Sequence, residues 1–309
     1  MASVFTENLV GSVLDGRYAL DGLVGIGGSA RVYRATDRRL GRLVAVKVLH
    51  SSFADDEAFV RRFRREAEAL APLNHPNIVT IYDVNDGANA TGDPPYLVTE
   101  YLAGGTLLDL LESKYLLSPS QAARLALDAA RGLEFAHGRG LVHRDIKPAN
   151  LFIAQLPSGL PSVKVLDFGI SKTGSLGDPD AADLDITTDG TVLGSPRYMS
   201  PEQMISAKDV DHRSDIWSLG VTLYAMVGGR VPFDAETLGQ LFNIVMYQPL
   251  QPLAQIRGDL PPGFESVVAR CLEKNPDARF PNVAELAIAL APYAPPHFQA
   301  NVERISRLL

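Results

Sequence analysis

Between Arg17 and Leu102 the apolar residues come in short β-branched or aromatic runs: YALDGLVG, ARVYRATD, RLVAVKVLH, IVTIYDV and PYLVTEYL. Gly, Asp, Asn and Pro separate them. Such runs predict strands. One segment has a different period: over Asp55 to Leu70, Phe59, Phe63, Ala67 and Leu70 recur at helical spacing. After Gly104-Gly105 the pattern becomes mainly helical. Its clearest helix opens on Ser118 as cap, with Pro119 at the first position and Gln121 closing a capping box. Ala122, Ala126, Ala129, Leu133 and Ala136 share one face, and Gly138 offers an end. Further helices are predicted near 212–228, 236–246, 263–273 and 283–291. No repeat of fixed period is present.

Two stretches carry no period. QLPSGLPS (155–162) reads as a turn between two strand-like runs, and 171–197 is a long polar segment with five aspartates before Thr191. Loops of that length are usually functional or mobile. At 309 residues the chain exceeds the usual size of one hydrophobic core, so two packed lobes in an α+β architecture are expected.

Composition narrows the function classes. A hydrophobic share of 46% with 21% charged residues is that of a folded globular protein, not a disordered one. The net charge of -7 and scattered basic residues supply no field for a nucleic-acid backbone, so no nucleic-acid partner is expected. The single cysteine, Cys271, makes no internal disulfide and reads as a buried small hydrophobe, which suits the cytoplasm. No secretion signal opens the chain, and the longest apolar run, 216–229, is too short for a bilayer and reads as a core helix. Membrane insertion of this chain is not expected, although it could be the cytoplasmic catalytic part of a longer, membrane-tethered one.

Several charged residues sit where the pattern calls for apolar ones. Glu66 falls between Phe63 and Leu70 on the apolar face of its helix, and Lys47 interrupts LVAVKVL, a run apolar on both faces. Unpaired buried charges cost about several kcal/mol each, which favours a Lys47–Glu66 pair. The alternative is that Lys47 snorkels from an edge strand while Glu66 meets water. GIGGSARV (25–32) lies between two strand-like runs, where Gly25, Gly27 and Gly28 could bring amides onto phosphate oxygens; a plain glycine-rich turn fits equally well taken alone. The dinucleotide fingerprint fails, because a strand and not a helix follows, and Ala30 stands at its third glycine. In HRDIKPAN, Asp145 can orient a hydroxyl and accept its proton, Lys147 can neutralise a transferring phosphoryl group, and Asn150 can ligate a metal. Asp167, ending VKVLDFG, can take a magnesium that bridges phosphates.

These motifs, in this order, resemble a protein kinase catalytic domain. LDGRYALDGLVGIGGSARVYRA, REAEALAPLNHPNIVTIYDV and GSPRYMSPEQ are similar to bacterial eukaryotic-like serine/threonine kinases, over about residues 11 to 292. The resemblance implies a bilobal α+β kinase fold: an N-terminal extension (1–16), an N-lobe with hinge (17–102) of antiparallel sheet and one main helix, a mostly helical C-lobe (103–292) and a C-terminal extension (293–309). It implies that Val24, Gly25, Gly27, Gly28 and Val32 cover ATP, that Lys47 holds the α and β phosphates and pairs with Glu66, and that Glu100 to Leu102 form the hinge behind a Thr99 gatekeeper. Ala45 and Phe152 would sandwich the adenine. Asp145 would be the catalytic base with Lys147 beside it, and Asn150 and Asp167 would bind magnesium, with manganese as a substitute.

Further implications are architectural: Glu202 paired with Arg279, Asp215 anchoring the catalytic loop, and Leu70, His143 and Phe168 in a hydrophobic stack. Arg144 would receive an activation loop phosphorylated on Thr187, Thr188 or Thr191, with Thr187 and Thr191 the expected autophosphorylation sites. Departures are few. SPE (200–202) replaces the commoner APE, the turn between Asn150 and Asp167 is some four residues longer than usual, and Ser195, whose hydroxyl could bridge Asp145 and Lys147, replaces a threonine. The expected activity is ATP-dependent phosphorylation of serine or threonine in protein substrates. A pseudokinase scaffold and a small-molecule phosphotransferase are the alternatives. Bacterial relatives often form homodimers through the small lobe, but no patch in this sequence argues for one.

Overall fold

The strand-like runs of the first hundred residues form one antiparallel sheet. In the computed structural model, which describes residues 8–88, 92–114, 116–155, 161–168, 195–206 and 210–296 except the side chains of Glu66, Lys114 and Ser195, the chain divides into two units. The first comprises residues up to 74 together with 79–103; the second comprises 75–78 and everything from 104 onward.

The sheet unit contains β1 (Val13–Leu14), β2 (Tyr18–Ile26), β3 (Ala30–Asp37), β4 (Arg42–Leu49), α1 (Ser51–Ala54), α2 (Glu57–Leu70), β5 (Ile81–Asn85) and β6 (Tyr96–Glu100). Its strands are ordered β1-β2-β3-β4-β6-β5. Strand alternation gives the sheet two differently covered faces. On one, Tyr18, Leu20, Tyr33, Val44, Val46, Val48 and Val98 form a core that Leu14 of β1 joins. On the other, Leu97 and Leu49 pack against Phe59, Phe63 and Ala67 of α2, the helical spacing seen in the sequence. Asp56 caps that helix through the amides of Ala58 and Phe59.

Lys47 is explained by this alternation. Val44, Val46 and Val48 are buried while Ala45 and Lys47, on the other face, are only half-buried, so the strand is not apolar on two buried faces as its composition suggested. Lys47 pairs in register with Val32 and Leu97, and Leu97 packs on α2. The lysine therefore stands on the face that α2 covers.

Arg17, the residue ahead of β2, ties β3 and β5 to it: its guanidinium meets Asp37 at 2.8 Å and Asp83 at 3.1 Å. The Arg17 hydrogen bond holds the buried Asp37 carboxyl down from 3.8 to about 2. A depressed carboxylate stabilises the fold above its unfolded pKa and loses that contribution as pH falls through its folded one. Unfolding free energy measured by urea titration should therefore fall between about pH 4 and 2, and Asp37→Asn should flatten that interval.

The helical unit contains β7 (Gly104–Thr106), α3 (Leu107–Lys114), α4 (Pro119–His137), β8 (Leu151–Gln155), β9 (Pro161–Val165), α5 (Pro201–Ile205), α6 (Arg213–Gly228), α7 (Leu238–Tyr247), α8 (Phe264–Cys271) and α9 (Val283–Leu290). The capping box of Ser118 and Gln121 opens α4 as the sequence predicts. Strands β7, β8 and β9 form a small antiparallel sheet. The short segment 75–78 is stitched to it: Asn77 Nδ2 donates to the Val163 carbonyl at 2.7 Å, and the Val165 amide donates to the Asn77 carbonyl at 2.8 Å.

Helix α6 explains the long apolar run, because every residue from Ser214 to Val227 is buried. A helix apolar all round belongs in a core. Among the described residues, no helix is long and apolar enough to cross a membrane. Gly220 lets α8 approach α6, since a Cβ there would lie 2.5 Å from Cβ of Cys271. Gly220→Ala should cost about 1–3 kcal/mol by overpacking, read as a lower urea midpoint with unchanged slope.

Candidate functional site

In the sheet unit the glycine-rich segment is the turn between β2 and β3. Gly25 pairs with Val32 and Ile26 with Arg31, then the Gly27 amide donates to the Ala30 carbonyl at 2.8 Å to close the turn. Gly28 has nothing within 4 Å of where a Cβ would stand, so its neighbourhood is open. Val24 is exposed and Val32 half-buried. Ala45, in β4, pairs with Thr99 of β6. The Glu100 carboxylate accepts the Thr80 amide at 2.8 Å, which fixes the strand end leading to Leu102. Glu66 lies in α2, but its side chain is outside the described residues, and with it the expected Lys47–Glu66 contact.

In the helical unit Asp145, Lys147 and Asn150 come together in the loop after α4. Lys147 Nζ lies 3.1 Å from Asp145 Oδ2. Asn150 Nδ2 donates to the same oxygen at 3.0 Å and to the Asp145 carbonyl at 2.8 Å. With its amide nitrogen spent on Asp145, Asn150 has Oδ1 left as its acceptor. Phe152 follows on β8, and Asp167, exposed, lies two residues beyond β9.

The loop has an unusual backbone. Arg144 has φ +65° and Asp167 φ +39°, conformations that side chains with a Cβ rarely adopt. Buried Asp215, at the start of α6, compensates at Arg144: its two oxygens accept the amides of His143 and Arg144, each at 2.8 Å. His137, at the end of α4, adds a contact to Asp215 at 2.7 Å. Burial alone would raise the Asp215 pKa, but the hydrogen bond from His137 and the surrounding charge hold it below the usual carboxylate range. Gln203 of α5 donates to the Arg144 carbonyl at 2.8 Å, gripping the loop from the other side.

His143 holds the segments carrying Asp145 and Asp167 together. Its Nδ1 accepts the Asp145 amide at 3.2 Å, so its Nε2 carries the proton and donates to the Leu166 carbonyl at 2.8 Å. Burial pushes its pKa down, which keeps this neutral form in place. Phe168 packs on the imidazole with ring centroids 4.5 Å apart.

Glu202 and Arg279 pair, as the resemblance implies, through two bonds of 2.7 and 2.8 Å, and Ser214 donates to the same carboxylate. His137, Gln203 and Ser214 were not singled out from sequence. A histidine ending a helix, a glutamine in a five-residue helix and a buried serine carry no local signal that separates them from ordinary caps and core contacts. Thr187, Thr188 and Thr191 lie outside the described residues, as does the Ser195 side chain.

A chain that gives two buried hydrogen-bond acceptors and a buried ring to holding one Asp-x-Lys-x-x-Asn loop in shape is built around that loop. Together with an antiparallel sheet bearing a glycine turn and a strand lysine, the loop defines the class: a protein kinase fold. Comparison with known proteins agrees. The protein kinase domain model matches residues 18–288, and the chain belongs to that family.

Serine/threonine-protein kinase PknB of Mycobacterium tuberculosis is 38% identical over 304 residues, covering 96% of this chain and 47% of PknB. A probable serine/threonine-protein kinase of Clostridium acetobutylicum is 40% identical over 278 residues, covering 90% of this chain and 40% of its own. The chain thus spans about half the length of these relatives or less. Among solved structures, the PknI kinase domain of Mycobacterium tuberculosis superposes with a TM-score of 0.68 at 28% identity, covering 92% of this chain and 99% of that one. Protein kinases as a family use ATP with a divalent metal ion.

Proposed function

We propose that this chain is a serine/threonine protein kinase that transfers the γ-phosphate of ATP to protein serine and threonine hydroxyls. One observation carries the reading: a single carboxylate oxygen of Asp145 faces both the Lys147 ammonium and the Asn150 amide. That arrangement holds the Asp145 carboxylate in one direction. Asp145 orients the acceptor hydroxyl and takes its proton as the hydroxyl oxygen bonds to the γ-phosphorus and the bond to ADP breaks. Loose phosphoryl transfer asks for this positioning more than for a strong base. Lys147 neutralises charge on the phosphoryl group.

Magnesium, or manganese in its place, would draw phosphate charge away from the reacting oxygens. The residues fit it: Asn150 offers Oδ1 once its Nδ2 is engaged, and Asp167 presents an exposed carboxylate. Lys47 and Glu66 serve the α and β phosphates, the glycine turn from Val24 to Val32 covers them, and Ala45, Glu100, Leu102 and Phe152 receive the adenine. Arg144 receives the phosphorylated activation segment, with Thr187, Thr188 and Thr191 as its autophosphorylation sites. A cytoplasmic place of action is part of this reading, in keeping with the one cysteine, Cys271, being a buried free thiol.

The test uses γ-labelled ATP, magnesium and a mixed protein acceptor, followed by acid hydrolysis. Phosphoserine and phosphothreonine are expected. Label confined to tyrosine, or to small molecules, would overturn the assignment.

A further inference from the structure

The turn that carries Gly25, Gly27 and Gly28 is held from outside by a residue the phosphoryl-transfer reading leaves unused. His50 directly follows β4 and lies 23 positions from Gly27 in the chain. Its Nε2 stands 3.0 Å from the Gly27 carbonyl oxygen. A carbonyl only accepts, so this nitrogen carries a proton and donates.

The main chain of His50 gives the imidazole a fixed base. Its amide donates to the Ser29 carbonyl at 2.9 Å, which extends the β3–β4 ladder past the Ala30–Leu49 pair and into the turn. Its carbonyl accepts the amides of Phe53 at 2.9 Å and Ala54 at 3.0 Å, which opens α1. Phe53 in turn packs on Phe59 of α2, with ring centroids 4.7 Å apart. The imidazole therefore holds the turn from a strand end that is itself tied on both sides.

What it holds is one peptide unit. The Gly27 carbonyl and the Gly28 amide belong to the same planar trans unit, so they face opposite ways. Glycine on either side removes the Cβ contacts that would resist rotation of that unit, so an outside hydrogen bond can decide its orientation. The Gly27 amide is already engaged, closing the turn on the Ala30 carbonyl at 2.8 Å. Holding the Gly27 carbonyl on His50 turns the Gly28 amide away from His50, at a position where a Cβ would meet nothing within 4 Å among the described residues. A rotated unit would present a carbonyl oxygen in place of that amide, and an anion is repelled by the first and attracted by the second. We propose that His50 is a positioning residue for ATP: through the Gly27 carbonyl it aims the Gly28 amide at a phosphate oxygen. The inference rests on the nucleotide reading of the turn.

The test compares, by titration calorimetry, the binding of a non-hydrolysable ATP analogue with magnesium and the binding of adenosine, which lacks the phosphates. His50→Phe keeps a ring and loses the donor, whereas His50→Gln keeps a donor nitrogen the same number of bonds from the main chain. The hydrogen bond lies at the surface, so its loss should be modest: His50→Phe should weaken the ATP analogue about 2- to 5-fold and leave adenosine unchanged. His50→Gln should bind both as the wild type does. In the kinase assay the same factor should appear in KM for ATP rather than in kcat. His50→Ala takes the place of His50→Phe if the latter does not fold. Undiminished binding of the ATP analogue without the donor, equal weakening of the analogue and adenosine, or a glutamine variant as weak as the phenylalanine one would overturn the role of His50. A wild-type chain that binds neither ligand would instead remove the nucleotide reading beneath it.

Discussion

Asp145→Asn should bind ATP about as well as the wild type yet transfer phosphate some 10²–10⁴-fold more slowly, the range for losing a positioned acid–base group. The substitution keeps the shape of the side chain and an oxygen for the Asn150 amide to reach, but it removes the proton acceptor. It also leaves the Lys147 ammonium, now 3.1 Å from a carboxylate oxygen, facing a neutral amide. Because Asp145 is held within its own loop, the change should leave the fold alone: His143 bonds the Asp145 amide, not its side chain. Nucleotide affinity by equilibrium fluorescence and turnover with saturating acceptor separate the two effects. Transfer within tenfold of wild type would remove Asp145 from the role proposed for it.

The largest stability effect should come from Arg279→Ala. Arg279 is 1% exposed and makes two bonds to Glu202, with further bonds to the carbonyls of Glu273, Arg213 and Lys274. Burial would raise the Glu202 pKa, but Arg279 more than offsets this and holds it down. Deleting the arginine leaves a largely buried carboxylate and three carbonyls without their donor. Breaking such a pair costs about 3–5 kcal/mol. Equilibrium urea unfolding should show the loss, and replacing both partners by apolar residues of similar volume should recover much of it, because the penalty lies in the abandoned charge. An exposed pair such as Arg61–Glu57, at 3.0 Å on the outside of α2, should scarcely register when broken.

Sequence periodicity located the large elements well because long helices and alternating strands state their burial directly. Helix α4 has its capping box and its alanine face, and α6 its continuous apolar run. The elements that escaped are mostly short, the eight-residue α3 excepted. β1 has two residues, β7 three and α5 five, too few for a period to show. β1 lies in the segment ahead of Arg17 and has no signal of its own; it becomes a strand because Val13 and Leu14 pair with Ala19 and Tyr18.

The site divides along the same line. Asp145, Lys147 and Asn150 were visible because an acid, a cation and an amide crowd one apolar stretch, and Asp215 and the Glu202–Arg279 pair were visible by resemblance to the family. The contacts that shape the loop were not. His137, 78 residues from Asp215, and Gln203, 59 residues from the carbonyl of Arg144, act through distances in sequence that no local pattern reports. Lys47 shows the opposite case. Composition made its strand look buried on both faces, and only the register with Leu97 reveals a half-covered face where a lysine is tolerated.

The central claim is that this loop moves phosphate onto hydroxyls, and phosphosite mapping by mass spectrometry after incubation with magnesium and ATP tests it most directly. Phosphate on serine or threonine is predicted, in an added protein acceptor and in the chain itself, with the chain's own sites among Thr187, Thr188 and Thr191 and none in the Asp145→Asn protein. A chain that binds magnesium and ATP yet leaves itself and every acceptor unmodified would contradict it.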